Sequence, residues 1–116
     1  MDNCLFCKIV RGEIPSRKVY EDDLVYAFHD INPLRPLHLL VIPKHHVTSL
    51  ATLTETDTPA LGRMLSVANK LATENGSPDG FRVIINTGLI GQQEVQHVHA
   101  HIVGGTEPVG SMLKRN

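Results

Sequence analysis

The sequence contains no tryptophan, and aromatic residues make up only 4% of its 116 residues. It also lacks an excess of one charge, because 11 Lys and Arg stand against 12 Asp and Glu, for a net charge of −1. Since nucleic-acid-binding domains normally carry a clustered basic excess, this balance argues against a nucleic-acid partner.

Long apolar runs are also missing, since no stretch approaches the ~20 apolar residues that span a bilayer. The first residues do not form the charged start and apolar run of a secretory signal. We therefore expect a cytoplasmic protein with no membrane partner.

Cysteine is scarce, and Cys4 and Cys7 are the only two in the chain. Without an export signal, two cysteines three residues apart suggest half of a metal site or a redox pair more than a structural disulfide. Two unmetalled buried thiols are the alternative.

The apolar pattern predicts a single α+β domain over residues 1–116, since 41% apolar content fills one core. A short helix is expected first, ended by Gly12, and a long helix begins near a capping box formed by Thr54 and Asp57. The predicted helices cover residues 4–11 and 54–75, and the predicted strands cover 19–21, 24–29, 38–42, 81–86 and 97–103. These elements favour a five-stranded antiparallel sheet with one long and one short helix.

Three of the seven histidines occur at alternate positions, His97, His99 and His101. In a strand they would project from one face, about 7 Å apart along the chain. Each imidazole has an ordinary pKa of about 6.5, so protonating all three together would be repulsive. The pattern alone leaves open a metal-binding strand, a site for a catalytic ion, or a solvated polar face.

The run HVHAHIV at residues 97–103 resembles the motif of the histidine-triad nucleotide-binding proteins. Other blocks resemble the family in the same order: FHDINP at 28–33, HLLVIPK at 38–44, IN at 85–86, GQQE at 91–94 and GG at 104–105. Gln93-Glu94-Val95 before the triad is similar to the bacterial purine-nucleoside phosphoramidases. The resemblance implies the histidine-triad fold and a two-fold dimer with a continuous sheet.

This resemblance also implies a reaction that requires no catalytic metal. His99 would attack the α-phosphorus of an adenosine or guanosine 5′-phosphoramidate and expel an amine, and water would then hydrolyse the nucleotidyl-histidine. His101 and Gln93 would contact the phosphoryl oxygens and assist the leaving group, while His38 would orient and polarise His99. The chemistry is reasonable, since neutral imidazole is a good nucleophile near pH 7.

The same resemblance implies a purine nucleotide pocket. Asp30 would accept hydrogen bonds from the ribose hydroxyls, and Asn86 would lie near the 5′-phosphate. For these two residues, a turn-forming aspartate and a polar strand end are the structural alternatives. The apolar walls for the purine, for which core packing is an alternative, would be Leu5, Phe6, Ile9, Ile14, Phe28 and Ile31. The remaining expected pocket residues are His29, Glu94 and Val95.

In family members that carry the two cysteines, the remaining metal ligands lie at the positions of His46 and His97. The resemblance therefore implies a structural zinc site formed by Cys4, Cys7, His46 and His97, closed to water because all four positions are filled. His45 is the alternative to His46.

Two positions depart from the family pattern. Gln96 stands where an aromatic residue is common, and Gln92 replaces a frequent glycine, which makes its loop less permissive. These changes leave the amine leaving group open. Two other functions are alternatives: cleavage of dinucleoside polyphosphates, and a regulatory nucleotide-binding module with incidental hydrolysis.

Overall fold

The computed structural model of the protein describes residues 3–112. Short 3₁₀ turns at Leu50–Thr52 and Glu55–Asp57 precede the longer helical region. The helices are α1 (Leu5–Val10), α2 (Thr58–Ser66) and α3 (Ala68–Glu74), and the strands are β1 (Lys18–Glu21), β2 (Val25–His29), β3 (Leu37–Pro43), β4 (Arg82–Ile84) and β5 (Ala100–Gly104). Within residues 3–112, no helix has both the length and the apolar character needed to cross a bilayer.

The five strands form one sheet in the order β1-β2-β3-β5-β4, and every neighbouring pair is antiparallel. This confirms the predicted α+β class and the five-stranded sheet. Every residue of β3 is buried, because this central strand is covered on both faces. The near-continuous apolar run at residues 37–43 is typical of such a strand.

Alternation along the strands divides the core in two. Ala27, Leu39 and Ile102 face the layer formed by α2 and α3, whereas Phe28 and Leu40 face α1. Since His101 is paired with Leu40 in the sheet, and since side chains alternate along a strand, His101 lies on the α1 face. The alternation of side chains along the strand therefore decides which side of the sheet carries His101.

The predicted long helix is present as one helical region with an irregularity at Val67. The amide of Val67 donates to the carbonyl of Arg63, and the amide of Leu71 donates to the carbonyl of Val67, both at 3.0 Å. The expected capping box forms, with the Thr54 amide donating to Asp57 at 2.9 Å. Leu65 of α2 is 54% exposed.

The last strand begins later than the pattern predicts, at Ala100 and not at His97. The amide of His97 donates to the carbonyl of Val95, and the amide of Val98 donates to the carbonyl of Val47, at 2.9 and 2.8 Å. These bonds hold residues 97–99 outside the sheet ladder. Of the three triad histidines, only His101 therefore lies in a strand.

We predict that Leu39→Ala, at a fully buried position of β3, lowers the free energy of unfolding by about 2–5 kcal/mol, because it leaves a cavity between the sheet and the helices. Urea denaturation measures this change. Leu34→Ala is the matched control at a 72% exposed position and should change it by less than about 0.5 kcal/mol. Equal effects at both positions would contradict this account of the core.

Candidate active site

His99 is buried, and one of its ring nitrogens has a fixed partner. Its Nδ1 lies 2.8 Å from the carbonyl oxygen of His97. Because a carbonyl oxygen only accepts hydrogen bonds, Nδ1 must carry the proton. In the neutral ring, Nε2 is then left with a free lone pair, which is the state that a nucleophilic imidazole requires.

Aromatic packing holds the ring of His99 in place. Phe6 of α1 meets His99 edge-on, with ring centroids 5.2 Å apart and planes at 82°, and it also meets His97 at 5.9 Å. On its other side His99 contacts His101, with centroids 5.0 Å apart. The three triad histidines are therefore brought together, although two of them precede the strand.

His38 and His101 form a hydrogen-bonded pair whose proton positions can be assigned. The backbone amide of Leu34 donates to Nδ1 of His38 at 3.0 Å, so the proton of the neutral His38 ring is on Nε2. That nitrogen lies 2.9 Å from Nδ1 of His101, which must accept. The proton of the neutral His101 ring is then on Nε2, where it can be donated to another group.

Burial keeps this pair uncharged at neutral pH. It lowers the pKa of His38, and the negative charge of Asp30 opposes this effect. The pKa of His101 is lowered to about 4, first by burial and then by the neighbouring His99 and His38, with Asp30 again opposing. The directions of the hydrogen bonds therefore hold near pH 7.

Asp30 lies beside this pair at the end of β2. Its Oδ1 accepts the amide of Asn32 at 2.8 Å, as expected for a turn-forming aspartate. Its Oδ2 lies 3.4 Å from Nε2 of His38. Asp30 therefore forms a turn, which was the structural alternative for this residue, and it also places a carboxylate oxygen beside the histidine pair.

Gln93 does not have the free donor that its predicted contact with phosphoryl oxygens needs. Its Oε1 accepts the amide of Gly88 at 3.0 Å, and its Nε2 donates to the carbonyls of Thr48 and Val95 at 2.7 and 2.9 Å. Both N–H groups of the amide are thus used. In this conformation the side chain of Gln93 closes the loop before the triad, and its contact with a phosphate stays a prediction.

At two positions of this loop, the backbone restricts which residue types fit without strain. Gln92 has φ +58°, in the left-handed region that favours glycine. Gly91 lies so close to the backbone of Thr87 that a Cβ would stand 2.6 Å from its carbonyl oxygen. Gln92 stands where the family often has glycine, and it therefore occupies a backbone conformation that glycine would adopt without strain.

The expected pocket residues divide by burial. Phe6, Ile9 and Phe28 are buried and pack in the apolar cluster over the α1 face of the sheet. Ile31 is 89% exposed at the turn after β2. Half-buried residues are Ile14, His29, Asn86 and Val95, and Leu5 and Glu94 are exposed.

A second group of side chains adjoins the triad. One ligand atom from each of Cys4, Cys7, His46 and His97 lies within 4.8 Å of the others, a grouping that could hold a metal ion. His97 Nδ1 is 3.3 Å from Cys4 Sγ and 3.6 Å from Cys7 Sγ, and His46 Nδ1 is 3.4 Å from Cys7 Sγ. His45, the alternative ligand, is exposed and outside this group.

The chemistry of these donors fits a tetrahedral metal ion. In a zinc site with ordinary bond lengths, a sulfur and a nitrogen ligand stand about 3.6 Å apart. Nε2 of His97 donates to the carbonyl of Pro43 at 2.8 Å, which leaves Nδ1 free to bind a cation. Burial and the neighbouring Cys4 raise the pKa of Cys7 to about 11, and a cation would offset that cost by stabilising the thiolate.

Comparison with known proteins confirms the resemblance found in the sequence. The family model described as "Scavenger mRNA decapping enzyme C-term binding" matches residues 3–115. The chain is 52% identical to protein HitA of Neisseria gonorrhoeae over 104 residues, covering 90% of this chain and 97% of HitA. It is 47% identical to the purine nucleoside phosphoramidase of Escherichia coli K12 over 113 residues, covering 97% of this chain and 94% of that protein.

A solved structure shows the same fold. The HIT family hydrolase from Clostridium thermocellum superposes with a TM-score of 0.91 at 39% identity, covering 97% of this chain and 99% of that one. Sequence, fold and triad geometry thus agree. The chain belongs to the histidine-triad (HIT) family of nucleotide hydrolases.

Proposed function

We propose that this protein hydrolyses purine nucleoside 5′-phosphoramidates through a nucleotidyl intermediate on His99. The observation that carries the proposal is the hydrogen bond from Nδ1 of His99 to the carbonyl of His97. It leaves Nε2 as the nucleophilic atom of a ring that is already oriented by Phe6 and His101.

The reaction has two displacement steps. In the first, the lone pair of His99 Nε2 forms a bond to the α-phosphorus, the bond from phosphorus to the amine nitrogen breaks, and that nitrogen takes up a proton. In the second, a water oxygen attacks the phosphorus, the bond to His99 breaks, and the nucleoside monophosphate leaves while the water releases a proton. Two easier steps then replace one difficult step.

His101 supplies the hydrogen-bond donor at the phosphate. Its Nδ1 is occupied by His38, so its Nε2–H is free for a phosphoryl oxygen or the leaving nitrogen. Such a donor stabilises the charge that develops on the oxygens in the transition state. Gln93, whose amide is used by the backbone, acts by positioning the loop.

The substrate class is proposed from the nucleotide pocket and from one relative. Asp30 presents a carboxylate oxygen suited to the ribose hydroxyls, and exposed Ile31 offers an apolar contact for the purine. The Escherichia coli relative that matches 97% of this chain is named a purine nucleoside phosphoramidase. These observations favour an adenosine or guanosine conjugate, with an amine as the leaving group.

We also propose that Cys4, Cys7, His46 and His97 hold a structural zinc ion. When bound, zinc supplies a closed four-ligand cross-link between α1, the segment after β3 and the triad. His97 would contribute its side chain to this cross-link and its backbone carbonyl to His99. The same residue would thus bind the metal and anchor the nucleophile.

A two-fold dimer is proposed on the basis of two exposed features. Strand β4 is at the edge of the sheet, and an exposed strand edge can pair with another copy. On α2, Leu65 lies beside Leu61 and Leu53 in a surface cleft of about 520 Å³.

The cytoplasmic location of the protein also stays a prediction.

The nucleophile is tested by His99→Gln, which retains a polar side chain of similar size. We expect kcat/KM for adenosine 5′-phosphoramidate to fall by at least about a thousandfold, because no nucleophile remains. Mass spectrometry of the quenched wild-type enzyme with a slow thio analogue should detect a nucleotide adduct on His99.

The matched control is His45→Gln, which changes an exposed histidine outside the triad and should keep wild-type turnover. A folded His99→Gln protein that retains full activity would exclude His99 as nucleophile. Binding of AMP without any turnover by the wild-type protein would favour the regulatory module.

The metal site is tested by elemental analysis of dialysed protein. We expect about one zinc per chain in the wild type and less than about a tenth of that in Cys7→Ser, because a serine hydroxyl is a poor zinc ligand. His45→Gln should keep its zinc, whereas His46→Gln should lose it. Equal zinc in the wild type and Cys7→Ser would exclude this ligand set.

The dimer is tested by light scattering after size-exclusion chromatography. Leu65→Glu should convert a dimer to monomers, because it places a charge in an apolar contact. Leu89→Glu, at another exposed leucine in the loop before the triad, is the control and should stay dimeric. A monomeric wild-type protein would refute the proposal.

A further inference from the structure

The Nε2–H group of His38 faces two acceptors. Nδ1 of His101 lies 2.9 Å away, and Oδ2 of Asp30 lies 3.4 Å away. The other nitrogen of His38 is held by the amide of Leu34, so the ring cannot satisfy both acceptors by moving its proton. The N–H group is therefore donated to His101, while the carboxylate of Asp30 lies beside it at ion-pair distance.

We propose that Asp30 is a positioning residue for His38 as well as a ribose ligand, so that binding of the ribose hydroxyls strengthens the hydrogen bond from His38 to His101. This inference rests on the proposed function, since it assumes that the ribose of a nucleotide substrate reaches Asp30. It adds a route by which the substrate's sugar affects the donor at the phosphate.

The backbone fixes the distance between Asp30 and His38. The amide of Asp30 donates to the carbonyl of His38 at 3.0 Å, which continues the pairing of β2 with β3 by one residue. The amide of Asn32 then holds Oδ1. Both ends of the Asp30 side chain are therefore constrained, and Oδ2 is kept beside the ring.

Exposure allows a ligand to reach the carboxylate but not the ring. The Asp30 side chain is 19% exposed, whereas that of His38 is 3% exposed. Ribose hydroxyls can thus donate to Asp30, which would weaken its attraction for the N–H group of His38. That group would then be donated more fully to His101, and hydrogen bonds in such a chain strengthen one another.

The charges around the pair agree with this arrangement. Asp30 raises the pKa of both His38 and His101 against the effect of burial, while His99 and His38 lower that of His101. The carboxylate is thus close enough to influence both rings. A ligand bound to this carboxylate would change the electric field at His101 without contacting that residue.

The kinetic test compares adenosine 5′-phosphoramidate with its 2′,3′-dideoxy counterpart. In the wild type, loss of the hydroxyls should raise KM and lower kcat by about fivefold or more. In Asp30→Asn, which keeps the turn but loses the charge, both differences should disappear. A wild-type kcat that is equal for the two substrates would overturn the proposal.

His38→Gln separates positioning through His38 from ordinary ribose binding. In this variant Asp30 still binds ribose, so the difference in KM should remain while the difference in kcat disappears. If the difference in kcat persists without His38, the hydroxyls act by another route and the proposal is wrong.

A nuclear magnetic resonance measurement does not depend on turnover, so it tests this inference even if the proposed function fails. In ligand-free protein, Asp30→Asn should shift the signal of the Nε2-bound proton of His38, because the charged acceptor is lost. Asp79→Asn removes an equal charge from an exposed position and should leave it unchanged. An unshifted His38 signal in Asp30→Asn would refute the contact itself.

Discussion

The hydrogen bond from Nδ1 of His99 to the backbone carbonyl of His97 is the constraint on which the rest of the site depends. It decides which ring nitrogen of His99 is free, and it does so through a backbone atom. The side chain of His97 is engaged elsewhere, between the carbonyl of Pro43 and the two cysteines. One residue therefore anchors His99 and belongs to the Cys/His group that could hold a metal ion.

Burial explains why these proton positions are so well defined. His38, His97 and His99 are each at most 5% exposed, and a buried polar group without a partner costs free energy. Each ring nitrogen that meets a backbone carbonyl or amide thus has its role as donor or acceptor determined. The folded backbone, by satisfying these groups, also selects the tautomers that the proposed reaction needs.

The sequence predicts the fold well because its signals are local and periodic. The apolar run of β3 and the Thr54–Asp57 capping box each indicate an element that the structure contains, and the alternating histidines indicate the last strand but place its start three residues too early. The ligand group also follows from sequence, but only once the family resemblance adds His46 and His97 to Cys4 and Cys7.

Sequence reasoning is weaker where the outcome depends on backbone partners. Gln93 lies where the family resemblance implies a phosphate contact, yet three backbone groups occupy its amide. Residues 97–99 alternate like a strand, but the amides of His97 and Val98 donate to the carbonyls of Val95 and Val47. Nothing in the residue types records these backbone partners.

Leu34 shows the reverse case, in which a residue with no signal in the sequence affects the site through its backbone. Its side chain is exposed and unremarkable, but its amide fixes the tautomer of His38 and, through His38, the donor nitrogen of His101. Pro33 and Pro36 restrict the backbone around it, which keeps that amide in place. Any residue except proline can supply the N–H group, so side-chain identity at this position carries no sign of its role. The chemistry of the site is thus set partly by loop geometry, which a motif search cannot detect.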